Sequence, residues 1–336
     1  MTAATALQSL LDAKPVLLAD GATGTNLFQM GLMSGDSPEL WNVEEPEKIR
    51  ALAQSFVDAG SDIILTNTFG CNRRRLMLHQ LQDRCAELNM AAVRIAREAA
   101  NTADRPIIVA GSVGPTGDLF APLGVLTEAE AVEVFVEQIA AMKEAGADVA
   151  WIETMSAVEE MRAAAEAATR VGLPFVLTAS FDTAGRTMMG ITPPALADFV
   201  DALPAHPIAI GANCGVGASD LLVSVRAILE THPDAIVVAK ANCGIPQFVA
   251  EEIVYSGTPD LMADYARMAI DTGARIIGGC CGTAPGHLAA MRHAIDTHVK
   301  GARPSVAEII ARIGPLQSPP PADDGEPREK KVRRRG

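Results

Sequence analysis

The stretch Val16-Leu17-Leu18-Ala19-Asp20-Gly21-Ala22-Thr23-Gly24-Thr25 is a short apolar run that stops at a carboxylate and a glycine-bearing loop. In an open, nucleotide-binding sheet the first strand leads into G-x-G-x-x-G, whose glycines let a pyrophosphate approach a helix N-terminus. Residues 20–25 lack that spacing. Seven further short apolar or β-branched runs follow, at 62–65, 107–110, 148–152, 175–179, 208–210, 235–239 and 274–277. Stretches with helical periodicity separate them, at 46–59, 84–102, 128–145, 157–171, 194–203, 218–231 and 261–272. Alternation of this kind is the pattern of successive βα units on a parallel sheet. Gly60, Gly146 and Gly273 close three of the helical stretches, in keeping with the preference for glycine just past a helix end. Eight units without a nucleotide loop predict an α/β fold of the (β/α)8 TIM-barrel type rather than an open sheet, with a last helix over 305–313.

A chain of 336 residues suits one such barrel. Aromatics at 4% leave its core to Ala, Val, Ile and Leu. No segment approaches the unbroken apolar length of a membrane span, and residues 1–14 lack the pattern of an export signal, so a cytoplasmic address is expected. The net charge of -13 disfavours nucleic acid as a partner. The barrel is expected over 1–315. The remainder, 316–336, is a Pro-rich and charged tail ending in Lys330-Lys331-Val332-Arg333-Arg334-Arg335 and reads as disordered. It lacks the apolar content of a dimerisation arm, so a homo-oligomer would have to use barrel helices. Six cysteines without an export signal are expected as free thiols or metal ligands before disulfides.

Barrels of this type place their chemistry at the C-terminal ends of the strands. There the chain carries Asp20, Thr66-Asn67, Ser112, Glu153, Ser180, Asn213-Cys214, Asn242-Cys243 and Cys280-Cys281. Glu153 ends a buried run, where a carboxylate needs a cationic partner. That partner is either a Lys or Arg of the chain or the ammonium of a bound amino acid, and Asp20 on the same rim favours the ammonium. Cys71 and Cys85 stand apart from any other candidate ligand, and Cys243 either lines the pocket or fills space.

Gly278-Gly279-Cys280-Cys281-Gly282 follows the eighth run and Gly211-Ala212-Asn213-Cys214-Gly215 the sixth, so three thiols lie where a barrel can gather them. Three thiolates around zinc leave one tetrahedral position open. A fourth sulfur bound there stays electron-rich yet deprotonated near neutral pH, which suits alkylation of a substrate thiol better than activation of water. No histidine falls at a strand end. Two other readings of the pair remain: a vicinal-dithiol redox switch, and a closed structural zinc site with Cys243 as fourth ligand.

Gly-Gly-Cys-Cys-Gly-Thr at 278–283, Gly-Ala-Asn-Cys-Gly at 211–215, Asp-Gly-Ala-Thr-Gly-Thr at 20–25, Thr-Asn-Thr-Phe at 66–69 and Gly-Ser-Val-Gly-Pro at 111–115 together resemble the zinc-dependent homocysteine S-methyltransferases over about 15–300. The resemblance implies Cys214, Cys280 and Cys281 as Zn2+ ligands with homocysteine sulfur as the fourth. It implies Glu153 and Asp20 beside the homocysteine ammonium, and backbone nitrogens of Gly21, Ala22 and Thr23 beside its carboxylate. Ser112, Phe69 and Trp41 complete the substrate residues. The family includes enzymes that use betaine, S-methylmethionine or methylcobalamin. A quaternary ammonium donor calls for an aromatic cage, for which Phe28, Trp41, Phe69, Phe120 and Trp151 are the aromatics to draw on. Gly70 stands where the animal betaine enzymes carry tyrosine. The Leu40-Trp41-Asn42 segment and the length, without a pterin or cobalamin domain, are similar to short bacterial betaine enzymes. Betaine or a related onium compound is the donor expected. The alternative is the homocysteine-activating subunit of a split methionine synthase served by a cobalamin-binding protein.

Overall fold

A computed structural model describes residues 5–319 apart from 245, 250 and 251. Eight parallel strands form one sheet: β1 (Leu17–Leu18), β2 (Ile63–Leu65), β3 (Ile108–Val113), β4 (Val149–Met155), β5 (Phe175–Ala179), β6 (Ile210–Cys214), β7 (Val237–Ala241) and, beyond a hairpin of β8 (Pro246–Val249) and β9 (Glu252–Tyr255), the last barrel strand β10 (Ile276–Gly279). The order β1-β10-β7-β6-β5-β4-β3-β2 is closed by a parallel bridge between Ala19 and Ile63, which makes the sheet a barrel.

Side chains alternate along the strands with a period of two. Leu17, Ile63, Ile108, Ala110, Val149, Trp151, Val176, Val238 and Ile276 fill the interior. Their neighbours Leu18, Ile64, Val109, Ala150, Ile152, Leu177, Val237, Ala239 and Ile277 pack outward beneath the helices. One residue type cannot serve both faces, so every strand reads as a continuous apolar run, as strands buried on both faces do.

Five of the eight strands, β3, β4, β6, β7 and β10, extend two to four residues further toward the C-terminal rim than their apolar runs. Ser112, Glu153, Asn213, Cys214, Lys240 and Gly279 belong to strands. Gly, Ser and Asn have low strand propensity, which hides these positions from a reading by composition. Among the elements outside the expected set, three shape the barrel. The helix Ala6–Ala13 inserts Leu7, Leu10 and Leu11 into the interior cluster and stoppers the barrel's N-terminal end. The helix Pro285–Thr297 completes the eighth unit, and the antiparallel hairpin β8–β9 stands on the loop after β7.

The helix Val306–Ile313 is present as expected. Beyond it, Asp220 accepts hydrogen bonds from the backbone N–H groups of Gln317 and Ser318, at 3.0 and 2.9 Å, so the chain is held to the barrel at least that far. Residues 320–336 lie outside the described residues. Among those described, no helix is long and apolar enough to cross a membrane.

Candidate metal centre

Cys214, Cys280 and Cys281 meet at the C-terminal rim, their sulfurs all within 4.8 Å of one another. The Cys214 and Cys281 sulfurs are 4.0 Å apart. Among the described residues this is the one group of three or more His, Cys, Asp or Glu side chains arranged to hold a metal ion. Backbone geometry brings it about. Cys214, at the end of β6, has φ +60° and Gly215 φ +74°, a left-handed pair that swings the sulfur over the barrel mouth. Left-handed backbone is costly for a residue with a Cβ and persists only where its surroundings hold it.

Those surroundings are two asparagines. Asn242 Nδ2 donates to Gly215 O (2.6 Å) while its Oδ1 accepts from Cys281 N (3.0 Å), tying together the two loops that carry the thiols. Asn213 Oδ1 accepts from Thr154 N (2.8 Å) and Thr178 Oγ1 (2.7 Å), which holds Thr154 in its own left-handed conformation at φ +61°. The glycines around the double cysteine serve different ends. Gly282 needs its φ of +78°, whereas Gly279 needs space, since a Cβ there would lie 2.2 Å from the Thr283 side chain.

Three thiols in contact cannot all ionise without a nearby cation, because each charge opposes the next. Cys281 is the one biased toward thiolate: hydrogen bonds from Cys214, then Cys280, outweigh its burial, with Tyr255 adding to them. Cys214 is pushed the opposite way by the same two neighbours and by burial. Cys243 stands outside the group as a fully buried thiol, raised to about 11 by desolvation. Cys71 and Cys85 belong to a small core cluster with Leu76 and Leu88.

Beneath the sulfurs the interior changes from apolar to polar in one two-residue step: Ala110 to Ser112, Trp151 to Glu153, Val176 to Thr178 and Val238 to Lys240. Ser112 Oγ donates to Glu153 Oε1 at 2.6 Å. Burial raises the Glu153 carboxyl to about 7 against the opposing pull of Lys240. Lys240 is the residue that the sequence reading missed. Its ammonium lies 2.8 Å from Asp20 Oδ1 and 5.7 Å from the centre of the Trp151 ring. Asp20 Oδ2 accepts from Leu65 N at 2.6 Å, so both oxygens are engaged within the protein. Asp20 is therefore part of an ion pair within the protein. The signal was a single charge after Val237-Val238-Ala239, at the end of an otherwise apolar run.

The remaining substrate candidates divide. Ala22 N–H is already given to Thr283 O (3.0 Å), which leaves Gly21 and Thr23 as the amides of that loop without a backbone acceptor among the described residues. Phe69 is 38% exposed on the rim. Trp41 is 9% exposed, and the Lys48 ammonium lies 4.2 Å above its ring, so that face is taken. Trp151 is fully buried inside the barrel. Phe28 and Phe69, at 52% and 38%, are more exposed than either tryptophan.

Residues 17–295 match the family model described as homocysteine S-methyltransferase. The chain belongs to the homocysteine S-methyltransferase family. Within it, the chain is 30% identical over 327 residues to the methionine synthase of Mycobacterium tuberculosis and 29% identical over 333 residues to that of Mycobacterium leprae. These alignments take in 90% and 91% of this chain, which spans 27% of the length of each relative. The crystal structure of the homocysteine methyltransferase MmuM from Escherichia coli in its metallated form shares the fold with a TM-score of 0.72 at 24% identity, over 86% of this chain and 99% of that one. The oxidised form of MmuM gives the same TM-score at 25% identity.

Proposed function

We propose that this chain transfers a methyl group to the thiol of homocysteine, giving methionine, with Zn2+ held by Cys214, Cys280 and Cys281. The observation that carries the reading is the convergence of three thiols from two loops on one point, with no fourth His, Cys, Asp or Glu in the group among the described residues. Zinc–sulfur bonds of about 2.3 Å in tetrahedral geometry place sulfurs about 3.8 Å apart, close to the 4.0 Å between Cys214 and Cys281. The donor set is all sulfur, which suits zinc. When bound, zinc would keep the substrate sulfur deprotonated near neutral pH, while three thiolates leave it electron-rich.

The chain's own residues supply positioning. Glu153, oriented by Ser112, is the carboxylate left to receive the homocysteine ammonium, and the Gly21 and Thr23 amides are the donors for its carboxylate. Lys240 holds Asp20 and keeps a positive charge beneath the site. In the transfer, a sulfur lone pair forms the new S–CH3 bond as the bond from that carbon to the donor breaks, and the leaving group takes both electrons. The thiol proton has by then gone to solvent. Holding sulfur and methyl in line lowers the barrier by removing translational and rotational freedom beforehand.

Two donors are consistent with this chemistry. Methylcobalamin on a protein domain is favoured by the surface around the mouth. Ten of the twelve exposed large apolar side chains among the described residues, Phe28, Phe69, Leu119, Leu123, Val125 and Met188 among them, lie on the connections that leave the C-terminal ends of β1, β2, β3 or β5. Those connections share the rim with the thiols, and apolar exposure on this scale suits a macromolecular donor. Betaine keeps support from the aromatic faces of Phe28 and Phe69, 52% and 38% exposed on that rim. Purified zinc-loaded protein supplied with homocysteine and either methylcobalamin or betaine decides: methionine from methylcobalamin alone supports the first, from betaine alone the second. No methionine from either, nor from S-methylmethionine, would overturn the proposed activity. A cytoplasmic location, where thiols stay reduced, belongs to the same reading.

A further inference from the structure

The chain after the last helix lies across two of the connections at the thiol-bearing rim. The helix Val306–Ile313 is seated by Ile309, fully buried, and by Arg312, which donates to both oxygens of Asp264 at 2.8 and 2.9 Å. From there Gly314 O accepts from Ser219 Oγ at 2.7 Å, and the Gln317 and Ser318 amides reach the two oxygens of Asp220. Ser318 Oγ in turn donates to Asp182 O (3.1 Å) and accepts from Ala184 N (2.6 Å). Residues 314–318 thus form a strap between the helix that follows Cys214 and the turn that follows β5.

At both anchor points the local sequence leaves something to be held. Asp220 stands in the third position of the helix Ala218–Thr231, whose cap residue is Gly217 and whose N-terminal end has no side-chain cap. A carboxylate at that position ordinarily turns back to the amide of the cap residue. Here both of its oxygens face the strap. At the other anchor, Thr183 and Arg186 pair across a turn with φ +50° at Ala184 and +70° at Gly185. Positive φ at both central residues suits Asn-Gly or Gly-Gly, and an alanine there needs its conformation fixed from outside. Ser318 Oγ, bound to the Ala184 amide, fixes it.

The anchors flank a metal ligand. Phe181, Cys214, Gly215 and Asp220 line one small cleft, and the Phe181 carbonyl oxygen lies 4.0 Å from the position of a Cβ on Gly215. We infer that Asp220 and Ser318 are positioning residues of the metal centre, fastening the strap over the connections after β5 and β6 so that Cys214 stays in its left-handed conformation. The inference rests on the proposed zinc site. Asn242 holds the Cys214 turn from the side of Cys281. The strap holds it from the side of the helix. A left-handed residue with a Cβ relaxes when its surroundings loosen, and a sulfur that has moved off must be ordered again before a cation can bind, which weakens binding.

The test compares Ser318→Ala, which removes the hydroxyl, with Ser318→Thr, which keeps it, and with Asp220→Asn, which replaces one acceptor oxygen by a donor. Leu11→Ala, at the opposite end of the barrel, reports loss of stability alone. Wild type and each variant are titrated with zinc against a chromophoric chelator, and amide hydrogen exchange is followed in the metal-free proteins over 182–186 and 212–222. The expected result is about tenfold weaker zinc binding in Ser318→Ala and Asp220→Asn at unchanged one-to-one stoichiometry. Exchange becomes faster in both segments, Ser318→Thr behaves as wild type, and Leu11→Ala keeps wild-type zinc affinity. Unchanged zinc affinity and unchanged exchange over 212–222 in both Ser318→Ala and Asp220→Asn would overturn the role of the strap while leaving the zinc site standing. Equal weakening in Leu11→Ala would reduce the effect to general stability and overturn that role as well. Wild type that binds no zinc would overturn both readings. Should Asp220→Asn not fold, the two Ser318 variants alone decide.

Discussion

Lys240 Nζ lies 2.8 Å from Asp20 Oδ1 across the inside of the barrel, joining β7 to the loop after β1 with both side chains at 3% exposure or less. The pair sits where the interior turns from apolar to polar, next to Glu153. Burial disfavours the ammonium, but Asp20 and Glu153 outweigh it, and the Lys240 pKa stands above its ordinary value. Two carboxyls and one ammonium thus form one coupled group below the thiols.

Removing one partner of a buried pair leaves the other charged and unsolvated. Lys240→Met is expected to cost about 3–5 kcal/mol of folding stability, and the double change with Asp20→Asn should recover much of that. Denaturant unfolding of the two single variants and the double one measures it. Purely additive losses would show that the two residues are not coupled.

Each of the three cysteines is expected to be required for metal. Cys214→Ala, Cys280→Ala and Cys281→Ala should each bind less than one equivalent of zinc and lose methyl transfer, while Cys71→Ala and Cys243→Ala keep full zinc content. Elemental analysis after dialysis gives the answer. One equivalent retained in both Cys280→Ala and Cys281→Ala would remove the double cysteine from the ligand set.

Glu153 makes the stability of the metal-free protein depend on pH. Its carboxyl rises from 4.5 to about 7 on folding, so the folded state holds a proton that the unfolded state has released between those values. That contribution is present at low pH and is lost as pH rises through about 7, up to a limit on the order of 3 kcal/mol. Unfolding midpoints at pH 5 and pH 8 should differ by less in Glu153→Gln than in wild type. Equal pH dependence in the two would assign the effect elsewhere. In the loaded enzyme, KM for homocysteine should fall as pH rises through the same range, because only the carboxylate holds an ammonium.

The stopper at the other end separates stability from chemistry. Leu11, 1% exposed in the helix Ala6–Ala13, fills the interior cluster far from the thiol rim. Leu11→Ala is expected to cost about 2–5 kcal/mol by leaving a cavity, with zinc affinity and KM for homocysteine unchanged at temperatures where the variant is folded. A weakened zinc site would mean that the two ends of the barrel are coupled.

Much of this protein is legible in the chain alone. Strands buried on both faces must be apolar at every position, so eight such runs separated by helical periodicity predict a parallel barrel, and a barrel dictates which strand ends share a rim. That places Cys214 with Cys280 and Cys281, and Glu153 with Asp20, without any knowledge of coordinates. Tertiary structure decided the rest, because it depends on contacts between residues distant in sequence. Asp20 pairs with Lys240, 220 positions away. Lys48 lies over one face of Trp41, the Ala22 amide goes to Thr283 O, and Gly282 packs against Tyr255 from a hairpin that no apolar run announced. Periodicity shows which way a side chain points; whether its hydrogen-bonding capacity is already spent is settled only when the loops meet in space.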